Sequence, residues 1–145
     1  MQKEIDMNHI SDIKRFLLAG KAILTIKSEK SGKHFTYLVE TSDPGDIIFV
    51  KVLTGPDNLR DYTYIGYSYV HKAADGSMIG PLRFGSRGQP NHPASVAWMW
   101  AAERGFDHNG LTVQHIGRCA ACGRPLTTPD SLTLGIGPEC AKRVV

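Results

Sequence analysis

The chain has no run of apolar residues approaching the roughly 20 that a membrane-spanning helix needs, and no strong excess of charge, its formal net charge being +3 at pH 7. The first absence argues against a membrane partner. The opening Met-Gln-Lys-Glu-Ile-Asp also lacks the apolar core of a secretory signal, so the expected location is cytoplasmic. The second absence leaves a mildly basic surface, which permits contact with nucleic acid or an acidic protein without the bulk charge that would demand it. There is no Gly-Lys-Ser/Thr phosphate loop, no G-x-G-x-x-G and no recognisable Ser/His/Asp order, so the common nucleotide-binding and triad chemistries have no motif here. No repeat or low-complexity segment is visible. What remains is 145 residues with 41% hydrophobic and 21% charged content, ordinary for one compact domain or a main domain with a small annex.

Cysteine is scarce, and its three copies share one stretch, V-Q-H-I-G-R-C-A-A-C-G-R-P-L-T-T-P-D-S-L-T-L-G-I-G-P-E-C-A-K-R-V-V. Cys119 and Cys122 form a C-x-x-C pair, and the following Gly123 lets the backbone turn so that both sulfurs and nearby N–H groups converge. Cys140 returns after seventeen residues, just beyond Gly137-Pro138, where a short helix over 139–144 can begin. Helix N-termini favour thiolates. A closed structural zinc site takes four ligands, and the nearest further candidate is His115, four residues before Cys119, with His108 and a water as rivals. The expected cofactor is one structural Zn2+ held by His115, Cys119, Cys122 and Cys140. Two other readings stand beside it. A redox C-x-x-C usually opens a helix, which Gly123-Arg124-Pro125 opposes, and a disulfide would leave an odd cysteine in a chain with no mark of export. A catalytic zinc of the deaminase type is opposed by the lack of H-x-E and P-C-x-x-C segments.

The set His115, Gly117, Arg118, Cys119, Cys122-Gly123-Arg124, Leu126-Thr127, Pro129, Ser131, Gly135-Ile136-Gly137-Pro138 and Cys140 resembles the C-terminal signature of a domain of unknown function common in bacteriophage and actinobacterial proteins. Upstream, Phe35-Thr36-Tyr37, Leu53-Thr54-Gly55-Pro56-Asp57-Asn58 and Tyr62-Thr63-Tyr64-Ile65-Gly66 are similar to phage members of that group. The resemblance implies phage or prophage origin, hence a host cytoplasm, together with metal binding through the Cys/His set and a small accessory role. It implies no activity.

Along the chain, Asn8 is a candidate N-cap for a helix to Ala19, ended by Gly20. Lys21–Ser28, His34–Thr41, Ile47–Leu53 and Tyr62–Val70 read as four strands, with Ala22, Leu24 and Ile26 on one face of the first and Phe35, Tyr37 and Val39 on one face of the second. Their short connections favour an antiparallel meander. Ser77–Phe84 adds an edge strand interrupted by Gly80-Pro81. Pro93 opens a helix ended by Gly105, with Val96, Met99, Trp100 and Phe106 expected against the sheet. The expected class is α+β: an antiparallel sheet with flanking helices over 1–108 and, over 109–145, a zinc annex of treble-clef or zinc-knuckle type.

Tyr62 and Tyr64 are expected on one side of their strand, opposite Tyr67 and Tyr69, unless a bulge interrupts at Gly66. Exposed, such tyrosines stack bases or anchor a protein; otherwise they cover the sheet as cross-strand pairs. Asp57 and Asn58 offer polar groups in a flexible loop, or serve its turn chemistry. Arg83, Arg87 and His92 in a Gly/Pro-containing loop, and Arg118, Arg124, Lys142 and Arg143 around the metal stretch, are candidate phosphate contacts, or an ordinary solvated face. Three functions follow: a binding protein contacting nucleic acid, with Tyr64, Arg118, Arg124 and Arg143 in contact; a modulator of a host protein, one acting in antiviral defence for example; or an enzyme on a nucleotide or protein substrate, with no catalytic residue to name.

Overall fold

The computed structural model describes residues 10–43, 45–73 and 76–142. In chain order it contains α1 (Ile13–Leu17), β1 (Lys21–Ser28), β2 (His34–Thr41), β3 (Ile47–Leu53), β4 (Tyr62–Ala73), β5 (Gly76–Ile79), α2 (Pro93–Glu103), β6 (Leu111–His115), α3 (Pro129–Leu134) and α4 (Pro138–Ala141). The strands make one antiparallel sheet in the order β5-β4-β3-β2-β1-β6. The class is α+β, and β1 to β4 form the expected meander. β4 runs beyond Val70 because its far end pairs with β5, and β5 stops where Gly80-Pro81 begins. The segment after the expected boundary near 107–110 is tied back into the sheet: β6 pairs with β1, Leu24 opposite His115 and Ile26 opposite Val113.

Residues directly opposite in an antiparallel ladder point to the same side. The row Ala22, Val39, Val50, Gly66 and the row Leu24, Tyr37, Val52, Thr63 therefore face inward, and their apolar members are buried. Helix α2 covers them. Trp98 sets its edge against Tyr37 and Phe106, at centroid distances of 5.1 and 5.0 Å, and the Tyr37 hydroxyl donates to Ala94 O at 2.6 Å. Burial pushes the Tyr37 phenol up, so it stays a donor. Each of these rings removes on the order of 200 Å² from water, worth about 5 kcal/mol at about 25 cal/mol/Å².

Two helix expectations are corrected. The buried face of α2 is Ala94, Ser95, Trp98 and Ala101, while Val96 and Trp100 are exposed. The two alanines let the helix approach closely and Trp98 fills the space, whereas Met99 and Phe106 pack at the margin as expected. Helix α1 begins at Ile13 because Asp12 caps Arg15 N, and Ser11 N is committed to Thr133 O. The anticipated cap Asn8 lies outside the described residues.

The register of β3 against β4 shifts between Val50 and Lys51: Lys51 faces Tyr64 but Val50 faces Gly66. Ile65 is the extra residue, and it is fully buried. The bulge diverts the carbonyls of Tyr64 and Ile65 from the ladder, and Gln89 meets both, through Nε2 at 3.1 Å and its backbone N at 2.9 Å. Gln89 O in turn accepts from the Ser95 hydroxyl of α2. The shift also reverses the parity of β4, so Tyr62 and Tyr64 share a face with Tyr67 and Tyr69. Glycine is required at the turn of this bulge, since a Cβ on Gly66 would lie 2.7 Å from Arg83 O and 2.9 Å from Leu82 Cδ1. Gly66→Ala should therefore cost about 1–3 kcal/mol, read as a lower urea midpoint with unchanged m value.

Candidate metal centre and sheet-face cleft

The turn at Cys119–Gly123 is held by its own backbone: Gly123 N donates to Cys119 O at 2.9 Å and Cys119 N to Arg124 O at 2.8 Å. Gly123 takes φ +80°, and the flanks close through a bridge between Arg118 and Pro125. Thr128-Pro129 then starts α3 with a reciprocal hydrogen-bond pair between Thr128 and Ser131. Gly135, at φ +76°, ends that helix where a Cβ would meet Phe16 at 2.7 Å, so α1 is seated directly against the link to α4. Gly137-Pro138 starts α4, which carries Cys140. The α4 expectation holds for the described residues, while Val144 and Arg143 lie outside them.

These turns bring the three cysteine sulfurs within 4.8 Å of one another. Tetrahedral zinc, with Zn–S near 2.3 Å, would place them about 3.8 Å apart, so a small contraction closes the set. Cys119 Sγ accepts from the N–H groups of Gly137 at 3.2 Å and Ala121 at 3.4 Å, the pattern that supports a thiolate. Burial raises the Cys119 pKa, but hydrogen bonds from Gly137, Cys122 and Ala121 outweigh it and bring the value to about 7. Cys140 is pushed up to about 11, first by its hydrogen bond with the Cys122 side chain and next by burial. Three crowded sulfurs cannot all be anionic cheaply without a cation between them, and the donor set suits a metal ion.

His115 does not join this set. It is buried beside Phe16; its Nδ1 accepts from Gly117 N at 2.8 Å and its Nε2–H donates to Leu132 O at 2.6 Å. A neutral imidazole has one acceptor and one donor, and the backbone uses both, leaving no lone pair for a metal. The fourfold cluster expected from the sequence is thus a cluster of three cysteines among the described residues, and His115 pins β6 to α3.

The other candidates fall in two places. The carboxylate of Asp57 accepts from Leu59 N, Asp57 N is held by Asp61 Oδ2, and Asn58 O accepts from the Tyr62 hydroxyl. These residues fold their own loop, whose Leu59 lines a cleft of about 230 Å³ with Lys21, Ile23, Arg118, Cys119 and Cys122. Arg118 donates to Gly123 O at 3.0 Å, and the Arg124 side chain is exposed. Tyr64 lies elsewhere, in a cleft of about 950 Å³ with Phe49, Lys51, Tyr67, Phe84 and Arg87. That cleft is formed where the bulge parity meets the 84–89 loop. Arg87 was among the cations weighed as phosphate contacts, but the face shared by the four tyrosines beside it was not anticipated.

An α+β protein with a cluster of three cysteines, able to hold a metal ion, at one end of its sheet is the class that fold and site define. A family of unknown function (DUF6011) matches residues 110–145, a segment that starts at the residue before β6 and runs through the cysteines. No curated protein and no solved structure matches the chain. No helix among the described residues is long and apolar enough to cross a membrane.

Replacing His115 separates its two possible roles. His115→Ala should lower stability by about 1–3 kcal/mol through the unpaired Gly117 N–H and Leu132 C=O, while metal per folded chain stays unchanged. Loss of the metal in folded His115→Ala protein, by elemental analysis, would make the imidazole a ligand after all.

Proposed function

We propose that the protein is a zinc-stapled accessory module that binds single-stranded nucleic acid on the outer face of its sheet. The observation that carries this reading is the parity reversal at Ile65, which collects Tyr62, Tyr64, Tyr67 and Tyr69 on the face that also bears Phe49. Half-exposed rings on a sheet stack bases of any sequence. Around them stand Arg87, close enough to act on the Tyr64 phenol, and Arg83, whose guanidinium lies 5.2 Å from the Tyr69 ring centre. By register the same face carries Lys21, Lys27 and Lys51 against one acid, Glu40, which pairs with Lys51. This local excess of positive charge is what a phosphate backbone needs, even though the whole chain is only mildly basic.

The metal we assign is one zinc held by Cys119, Cys122 and Cys140 with a water at the fourth position, and its role is structural, since it clamps a turn to a helix start in the manner of a treble clef. The resemblance of this signature to phage proteins supports an accessory, phage-type setting. A second reading has one observation in its favour. Val96 and Trp100, exposed on α2, border an apolar groove of about 500 Å³ with Phe35 and Leu111, which suits a protein segment of the host.

Protein prepared without chelator should carry about one zinc, and Cys140→Ser should release it. Binding of labelled oligothymidylate by fluorescence anisotropy should weaken by about 1–3 kcal/mol in Tyr64→Ala with the salt slope unchanged. Arg87→Ala should instead flatten that slope by about one unit. Absence of any oligonucleotide binding at low salt would overturn the nucleic-acid reading and leave the groove on α2 as the surface to pursue.

A further inference from the structure

The aromatic cleft and the small cleft at the cysteines lie on the same face of the sheet, and the ladder shows how they connect. Tyr67 is opposite Phe49, Phe49 opposite Glu40, and Glu40 opposite Lys21. This row crosses four strands without leaving the outer face. At its end Lys21 N donates to Ala120 O at 2.6 Å, so the cysteine turn takes the place of the next strand. Arg118 and the exposed side of Cys122 line the cleft that Lys21 and Ile23 open into.

The neighbouring row, Tyr64, Lys51, Leu38 and Ile23, is bordered at its Ile23 end by Leu59 of the 54–61 loop, and both Leu38 and Ile23 are buried although they point away from the core. That loop makes a wall. The row from Tyr67 to Lys21 is the open floor beside it: Phe49 and Lys21 are exposed and Tyr67 and Glu40 are half-buried. Rings occupy one end of the floor and cations the other.

We infer that the two clefts are the ends of one track, and that a single strand lies across β4, β3, β2 and β1 from Tyr67 and Arg87 to Lys21 and Arg118. The inference rests on the nucleic-acid reading and deepens it by making the metal turn a second anchor on the same ligand. Strands lie about 4.8 Å apart, so four spacings from β4 to the cysteine turn give about 19 Å. That length takes about four to six nucleotides, at the short end of the sites found on single-strand-binding sheets. Bases stack at the Tyr67 end, where rings are available, and the backbone is gripped at the Arg118 end, where no aromatic ring lines the cleft. The Glu40 carboxylate, mid-track, is neutralised by Lys51 and so does not block the phosphates.

The test is a length series of oligothymidylates, from trimer to octamer, titrated against the zinc-loaded protein. Affinity should rise steeply up to five or six nucleotides and then level. Lys21→Gln and Arg118→Gln should each weaken hexamer binding about tenfold and leave trimer binding unchanged, while Tyr67→Leu weakens both. Because Arg118 also holds Gly123 O, the zinc content of that variant is measured alongside; Lys21 carries the test if zinc is lost. Trimer and hexamer binding equally well, or hexamer binding indifferent to Lys21→Gln, would overturn the track while leaving nucleic-acid binding in place. No binding at any length would overturn both.

Discussion

One irregularity in the ladder governs the aromatic outer face: Ile65 has no partner on β3. Burying its side chain is favourable by a few kcal/mol, but the displaced carbonyls of Tyr64 and Ile65 must be satisfied, since an unmet buried polar group costs about as much as the burial returns. Gln89 meets both, and its own carbonyl is taken by Ser95 of α2. The outer aromatic face, the loop that rims it and the helix that covers the inner face are thereby linked through one glutamine. Tyr67 and Arg83 add two backbone hydrogen bonds to the same junction.

The cysteine end is organised by a different economy of groups. Backbone N–H donors aimed at Cys119 stabilise a thiolate there, and the same crowding keeps a proton on Cys140. The annex is also held by contacts away from the cysteines. His115 bridges Gly117 and Leu132, Arg15 of α1 donates to Ala141 O, and Phe16 sits against Gly135. A cation would complete an arrangement that the peptide chain already draws together.

Much of this was legible in the residues. Alternation over Lys21–Ser28 and His34–Thr41, and the β-branched apolar run Ile47–Leu53, marked three strands with their observed bounds, although Ile23 and Leu38 are buried on the outer face as well. The C-x-x-C turn and Gly137-Pro138 marked the three cysteines that the fold brings together, again from local pattern. What pattern could not reach was non-local. β6 is five residues long and is a strand because β1 offers it an edge. Helix α2 has apolar residues on more than one side, so periodicity alone did not select Trp98 over Trp100. The helix α3 had its signal in Thr128-Pro129-Asp130-Ser131, a start sequence hidden between two more conspicuous cysteine motifs. His115 stood at ligand spacing, and only its two backbone partners show why it is turned away. The side on which Tyr67 and Tyr69 appear depended on one inserted residue, and a single slip inverts every side chain that follows.

The pairing of β6 with β1 also sets an order of assembly. Leu24 and His115 are neighbours in the sheet but widely separated in sequence, and the hydrogen bond from Lys21 N to Ala120 O joins residues just as distant. Closing so long a loop is entropically costly until the meander between them has formed. The local hairpins can collapse first; the cysteine turn then arrives on a finished edge. A metal ion taken up by Cys119 and Cys140 would on this reasoning be captured late, as a latch on a nearly native chain rather than as its nucleus.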